Sequence, residues 1–202
     1  MPPLSVPSQR ATAADLASRI EQLRSTQPRT VVAISGYAGS GKSTLAKTLA
    51  ATVEGCTRLR GDDFLDPTGS HRRSADWDGV ERTRMRHEVL EPYRRGEPVR
   101  FRRFDWHTRE LAPVEELPDA EVLLVDAIGI LHPDLQGCFD LSIWVDVDLE
   151  TAGVRGRQRD RSGGHDHDRL WTEVWLLNDR DFAARFDPRG QADLLYVPED
   201  VS

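Results

Sequence analysis

The chain has 202 residues, which is enough for one well-buried α/β domain and too few for two sizeable ones. With 38% hydrophobic and 30% charged residues, the composition excludes a disordered chain, and no apolar run approaches the ~18–20 residues of a membrane span. The net charge of −7 argues against a general nucleic-acid binder, which would carry a basic surface. The N-terminal segment lacks the basic start and apolar stretch of a signal peptide, so we expect a cytoplasmic protein with no nucleic-acid or membrane partner.

Residues 1–10 are rich in Pro and Ser, and we expect them to be disordered, with residues 11–202 forming a single domain. A helix is predicted from the apolar spacing in residues 11–24, and the β-branched run 31–34 then predicts a buried strand. Residues 36–43 read Gly-Tyr-Ala-Gly-Ser-Gly-Lys-Ser, the full G-x-x-x-x-G-K-S pattern. An Ala/Leu-rich helical pattern follows, so the strand–loop–helix context of a phosphate-binding loop is complete.

This loop pattern wraps backbone N–H groups around a polyphosphate, so the chain is predicted to bind a nucleoside triphosphate, taken as ATP. We expect Lys42 to reach the terminal phosphates and Ser43 to ligate Mg²⁺. An ordinary glycine-rich turn is the alternative, and the flanking strand and helix disfavour it. The residues predicted to bind the nucleotide are Gly36, Ala38, Gly39, Ser40, Gly41, Lys42, Ser43 and Thr44.

Further strands are predicted near residues 57–60, 99–104, 121–126, 141–146 and 192–197, and helices near 80–95, 149–161 and 169–184. The continuous apolar run of residues 122–125 indicates a strand buried on both faces, as in a parallel sheet. Strands that alternate with helices predict an α/β fold of the P-loop NTPase type. We expect a doubly wound, mainly parallel sheet of five strands, with helices on both faces and a short lid. Its ligand is expected at the carboxyl ends of the strands.

Acidic residues follow two of these strands. Asp126 ends an apolar strand, where a carboxylate can hold Mg²⁺ directly or through water. Asp62 and Asp63 follow the second strand, where a carboxylate can accept the proton of a substrate hydroxyl or contact the metal. A turn-forming aspartate and a common loop pair are the structural alternatives.

Arg155 and Arg159 lie one helical turn apart and share a face, which suits charge stabilisation in phosphoryl transfer; a solvated arginine face is the alternative. The Gly/His/Asp-rich loop 163–168 is interpreted as a lid and not as a metal site. Trp171 and Trp175, four residues apart on a helix, are interpreted as packing residues.

In chain order these motifs resemble the uridine kinase-like family of P-loop small-molecule kinases, which has pantothenate kinase and phosphoribulokinase as relatives. The matching segments cover nearly the whole chain: 36–43, 62–64, 76–78, 104–109, 125–128, 146–160 and 192–194. Three features depart from the family pattern, and one of them is the segment 104–109, which is shorter than in uridine kinases, with His107 directly after Trp106. Asp126-Ala127 stands in place of Glu-Gly, and Gly156 stands where a second arginine is usual.

The resemblance implies a role for each matching residue. Asp62 would take the proton of the substrate hydroxyl, and Lys42, Arg155 and Arg159 would act on the phosphates, the two arginines from a lid at about 155–170. Ser43, Asp62 and Asp126 would hold the metal. The residues implied in substrate binding, within an acceptor region of about 62–110, are Asp63, Phe64, Asp76, Trp77, Asp105, His107 and Arg109.

We therefore expect an ATP- and Mg²⁺-dependent kinase that transfers the γ-phosphate to a hydroxyl of a small metabolite. A nucleoside is the leading candidate for this acceptor. Pantothenate-, sugar- and antibiotic-type hydroxyls are the alternative acceptors. The choice between ATP and GTP stays open, and so does assembly into a homo-oligomer. A regulatory P-loop ATPase that acts through a partner protein is the alternative from a different class, and an inactive relative is a third. The chain has no Asn-Lys-x-Asp segment of the kind with which GTPases read guanine.

Overall fold

The computed structural model describes residues 9–66, 68–105, 108 and 110–198. Its strands are β1 (Gln9–Ala11), β2 (Thr30–Ser35), β3 (Cys56–Arg60), β4 (Arg100–Phe101), β5 (Phe104–Asp105), β6 (Glu110–Leu111), β7 (Glu115–Glu116), β8 (Val122–Asp126), β9 (Leu141–Val145) and β10 (Leu194–Tyr196). Its α-helices are α1 (Ala13–Arg24), α2 (Lys42–Thr52), α3 (Arg82–Met85), α4 (Glu91–Arg94), α5 (Leu149–Ser162), α6 (Asp168–Leu170), α7 (Leu176–Phe186) and α8 (Pro188–Gln191). Two π-helical segments, Arg86–Leu90 and Trp171–Trp175, join α3 to α4 and α6 to α7.

Six strands form one parallel sheet in the order β1-β10-β9-β2-β8-β3. The predicted α/β fold with a parallel sheet is confirmed, and the sheet has one strand more than the five predicted. The extra strand is β1, whose residues 9 and 10 lie in the segment predicted to be disordered. It pairs with β10 at the sheet edge through its backbone and has no apolar pattern, so the sequence carried no strand signal there.

The central strand β2 is buried along its whole length, which explains why its sequence is continuously apolar. On one side of the sheet, helices α1 and α2 cover Val32 and Ile34. On the other side, the helical segment of residues 82–94 covers Val31 and Ala33. The two hydrophobic layers fix the sheet, so the carboxyl ends of β2, β3 and β8 lie side by side at one edge.

The predicted strand at 99–104 is instead divided between two short strands outside the main sheet. Strand β4 pairs with β7, and β5 pairs with β6, both antiparallel. Phe101 and Phe104 are buried while the arginines between them are exposed, which produced the alternation seen in the sequence. In the described part of the chain, no helix is both long and apolar enough to cross a bilayer.

Candidate active site

The loop between β2 and α2 has the conformation that its glycines allow. Gly39 has a φ of +84°, and a Cβ added there would lie 2.2 Å from the carbonyl oxygen of Ala152, so α5 can approach the loop only because residue 39 is glycine. Gly41, with a φ of +101°, begins α2 without a side-chain cap. The first N–H groups of α2 therefore stay available to an anion, as a phosphate loop requires.

Lys42 lies folded over this loop. Its Nζ donates hydrogen bonds to the carbonyl oxygens of Gly36 (2.9 Å) and Tyr37 (2.8 Å). Burial lowers the pKa of Lys42, whereas the nearby carboxylates, Asp179 foremost, favour its charged form. The ammonium group is thus held at the loop where terminal phosphates would bind.

Ser43 and Asp126, two of the predicted metal ligands, are in contact. The Ser43 hydroxyl donates to Asp126 Oδ2 over 2.7 Å, and the Asp126 side chain is only 3% exposed. Arg58 also donates to both Asp126 oxygens, from Nε at 2.6 Å and from Nη2 at 2.7 Å. Hydroxyl and carboxylate oxygens are the ligands that Mg²⁺ prefers, so this pair fits the predicted metal. Among the described residues, no three His, Cys, Asp or Glu side chains form a metal-binding group by themselves.

Asp62 faces the same space from the short 3₁₀ turn Gly61–Phe64 that follows β3. Its side chain is 57% exposed and lies 3.7 Å from Arg60. A cavity of about 370 Å³ is lined by Lys42, Ser43, Asp62, Asp126 and Arg159 together. The structure thus collects at one site the predicted phosphate, metal and base positions, which come from four distant parts of the chain.

Aromatic residues and one serine line the same cavity, and we call this group of lining residues the aromatic chamber: Ser70, His71, Trp77, Trp171 and Trp175. The Trp175 indole donates to the Ser70 carbonyl oxygen over 2.9 Å, and its ring packs edge-on against Trp171 with centroids 5.1 Å apart. The Ser70 hydroxyl is buried and has no hydrogen-bond partner within the described structure.

Asp179 of α7 connects the chamber to the phosphate loop. Its Oδ2 accepts a hydrogen bond from the Ala38 amide at 2.7 Å, and its Oδ1 accepts one from the Trp77 indole at 3.0 Å. Trp77 is 2% exposed and has a left-handed backbone, with a φ of +52°. Burial raises the pKa of Asp179 to about 6. This carboxylate therefore fixes both a loop amide and a strained aromatic residue.

A family model described as the phosphoribulokinase / uridine kinase family matches residues 31–198 of the chain. The chain belongs to this family. The match covers the phosphate loop, both site carboxylates and the lid helix, so the implied resemblance is confirmed. A comparison with curated proteins gave no significant match.

Solved structures similar to this kinase share its fold over most of its length. A candidate fructose transport system kinase from a Silicibacter species is 25% identical, with a TM-score of 0.72 over 93% of this chain and 100% of that chain. A possible uridine kinase from Bacillus stearothermophilus is 14% identical, with a TM-score of 0.65 over 90% and 98%. A candidate P-loop kinase from Saccharomyces cerevisiae with a circular permutation is 12% identical, with a TM-score of 0.58 over 94% and 99%.

In this kinase the lid helix α5 packs tightly on the helix that follows it. A Cβ on Gly156 would lie 2.1 Å from the Trp171 ring, so the indole occupies the space that a side chain at position 156 would need. The Trp171 indole donates to Asp160 Oδ2 over 2.9 Å, and His167 lies 3.1 Å from the same oxygen. Trp171 is buried, so its interpretation as a packing residue agrees with its position, whereas the half-buried Trp175 also faces the chamber.

Of the two predicted lid arginines, only Arg159 lines the cavity. Its side chain is 69% exposed, and it pairs with Asp160 at 2.9 Å. Arg155 lies on the exposed side of α5. Arg155 is not among the residues that line the cavity, and its implied action on the phosphates stays a prediction.

Of the five predicted substrate-binding residues that the structure describes, Trp77 lines the cavity and the other four do not. The 3₁₀ turn directs Phe64 into the core, where it stacks on Phe101 with centroids 5.7 Å apart. It directs Asp63 toward Arg103, and burial raises the pKa of Asp63. Asp63 and Phe64 therefore do not line this cavity, and their implied role in substrate binding stays a prediction.

Two more predicted substrate-binding residues are engaged elsewhere. Asp76 accepts a hydrogen bond from Arg185, and Asp105 accepts one from the Thr108 amide. Neither lines the cavity. His107 and Arg109 lie outside the described residues.

Proposed function

We propose that the protein is an ATP-dependent kinase that transfers the γ-phosphate to a hydroxyl of a small metabolite, with a nucleoside as the leading acceptor class. The observation that carries this proposal is a single cavity that is lined by the phosphate-loop Lys42, by Asp62 and by the residues of the aromatic chamber. Membership of the phosphoribulokinase / uridine kinase family supports the reaction class.

The chain's own residues would supply positioning and charge. The loop amides and Lys42 would hold the phosphates, and the exposed Asp62 carboxylate would accept the proton of the attacking hydroxyl. Arg159 would stabilise the charge that spreads over the transferred phosphoryl group. Ser43 and Asp126 would hold magnesium, which when bound neutralises charge on the terminal phosphates. Enclosure by α5 would exclude water and so limit the hydrolysis of ATP.

The chamber favours a nucleoside among the acceptor classes. Trp175 and His71, which are partly exposed, offer rings against which a ligand ring can stack. The similarity to a possible uridine kinase supports the same class, whereas the similarity to a candidate fructose transport system kinase makes a sugar the second candidate. A regulatory ATPase is less well supported, because it needs no chamber beside the phosphates.

The test is a substrate panel with ADP release as the readout. Purified protein with Mg·ATP is offered nucleosides, ketohexoses, pantothenate and amino-alcohol antibiotics, and the Lys42→Ala variant serves as the control. Release stimulated by nucleosides alone supports the proposal, and release stimulated by ketohexoses alone selects the sugar kinase. Acceptor-independent release that Lys42→Ala removes, with no phosphorylated product by mass spectrometry, indicates the regulatory ATPase.

A further inference from the structure

Arg58 makes the most direct contact with the predicted metal ligand Asp126. Its guanidinium binds the carboxylate side-on, with Nε 2.6 Å from Oδ1 and Nη2 2.7 Å from Oδ2. The Arg58 side chain is only 18% exposed and the Asp126 side chain 3%, so water screens this ion pair poorly. Two parallel N–H···O bonds fix the orientation of the carboxylate.

Strand β3 places a second arginine at the neighbouring carboxylate. Arg58 and Arg60 are two residues apart and so point to the same face of β3, and Arg60 is in register with Asp126 of β8. Arg60 lies 3.7 Å from Asp62. Each carboxylate that is predicted to contact the metal therefore faces an arginine from one strand.

This pairing changes what a free divalent cation would encounter. A carboxylate offers about four lone-pair sites, and at Asp126 two are occupied by Arg58 and a third by the Ser43 hydroxyl. Magnesium binds directly at about 2.0–2.1 Å in near-ideal octahedral geometry and retains water readily. If Asp126 ligated the metal directly, the doubly charged ion would lie close to the Arg58 guanidinium, which stays positively charged at any working pH.

We propose that Arg58 is a positioning residue that keeps Asp126 as a water-mediated contact for magnesium and prevents the protein from binding a divalent cation without a nucleotide. The metal then enters only with the triphosphate, whose oxygens supply the ligands that the protein withholds. The inference rests on the proposed function, since it assigns the Ser43–Asp126 pair to the nucleotide's metal.

The test is a Mn²⁺ titration of the nucleotide-free, full-length protein, with free Mn²⁺ followed by electron paramagnetic resonance. We expect weak binding to the wild type and binding roughly ten- to a hundredfold tighter to Arg58→Gln, because one charge a few ångströms from the ion is removed. Arg58→Lys keeps that charge and should bind as weakly as the wild type. Arg95→Gln breaks a comparable two-bond pair with Glu97 on the surface and should change nothing.

Two results would overturn the inference. The first is an Arg58→Gln variant that melts cooperatively yet binds Mn²⁺ no more tightly than the wild type. The second is a gain that persists in the Arg58→Gln/Asp126→Asn double variant. If Arg58→Gln does not fold, the Asp126→Asn variant alone tests the inference. In the wild-type background this substitution should change the Mn²⁺ affinity less than about twofold, and a larger loss of affinity would overturn the inference. The substrate panel plays no part in this titration, so failure of the proposed reaction is recognised separately.

Discussion

Asp62 and Asp63 are adjacent in the chain, yet the 3₁₀ turn directs their carboxylates into different surroundings. Asp62 is exposed in the cavity beside the phosphate loop, whereas Asp63 is buried against Arg103. From the sequence alone, either residue could have been the base. The turn distinguishes them, because a 3₁₀ turn rotates each successive residue by about a third of a circle.

Replacing Asp62 therefore tests the assignment of the base. Asp62→Asn should leave nucleotide affinity within about threefold and lower kcat with the accepted substrate roughly 10²–10⁴-fold, the usual contribution of a general base. Single-turnover phosphorylation and nucleotide titration measure the two quantities. Asp63→Asn is the matched control and should retain kcat, since its carboxylate is outside the cavity. If the Asp62→Asn variant kept the kcat of the wild type, Asp62 would not be the base.

Asp179 is a second residue whose role depends on burial. Because burial raises its pKa from 3.8 to about 6, the folded protein holds this proton more tightly than the unfolded chain does. Its contribution to stability is therefore complete below about pH 4 and is lost as the pH rises to about 6. Above that pH the charged carboxylate costs on the order of 3 kcal/mol, at 1.36 kcal/mol per pKa unit.

The Asp179→Asn variant should lack this pH dependence, because an amide does not titrate. The free energy of unfolding of the wild type, relative to that of the variant, should fall by about 3 kcal/mol between pH 4 and pH 7. Urea unfolding of both proteins across this range provides the measurement. A difference between the two proteins that is constant with pH would contradict the raised pKa.

At the scale of elements, the lid helix α5 packs closely against Trp171 of the following helical segment, and the close contact is at Gly156. A Cβ on Gly156 would overlap the Trp171 ring at 2.1 Å, so Gly156→Ala should destabilise the protein by about 1–3 kcal/mol through overpacking. Denaturant unfolding measures the loss. Gly163→Ala, at the end of the same helix, meets its nearest atoms only at 3.4 Å and should stay within about 1 kcal/mol of the wild type. Equal losses in both variants would refute a specific contact with Trp171.

Elements with a strong local signal were predictable from the sequence. The phosphate loop has a fixed motif, and β2 and β8 contain continuous apolar runs, since both of their faces are buried. Strands β1, β4 and β5 were missed or misplaced because they are two or three residues long and depend on pairing with distant partners. Short strands of this kind have no period that a sequence can reveal.

The same distinction separates the site residues that the sequence revealed from those it did not. Lys42, Ser43 and Asp126 lie in or beside recognisable strand ends and motifs. Asp179 binds a loop amide 141 residues away, and Arg58 binds a carboxylate 68 residues away. Each contact depends on how helices and strands pack together, so a single sequence does not predict it. The helical pattern around residue 179 was visible, but its contact with the loop was not.

At the scale of the whole molecule, the parallel sheet brings these distant groups together at one edge. A nucleotide that binds there binds only the folded protein, so it should raise the free energy of unfolding. ADP at a hundred times its dissociation constant should raise the free energy of unfolding by about 2.7 kcal/mol. Lys42→Ala should reduce this gain to about 1.4 kcal/mol or less, because losing a charged contact weakens affinity at least tenfold. Lys47→Ala is the matched control, since it removes the chain's other lysine from the exposed face of the same helix.

Thermal melts with increasing ADP provide the measurement for all three proteins. The wild type and Lys47→Ala should shift together, and Lys42→Ala should shift less at every concentration. An undiminished shift in Lys42→Ala would show that the nucleotide is held elsewhere.

The aromatic chamber also has an optical consequence. Three of the five tryptophans, at positions 77, 171 and 175, line the cavity, and Trp144 lies in the core of the sheet. Indole emission depends on solvent contact and on stacking, so a ring that enters the chamber should alter the intrinsic fluorescence of the protein without any label. Binding of an accepted substrate should therefore change the tryptophan emission spectrum before a phosphate is transferred. The same change would allow the binding affinities of inert analogues to be compared.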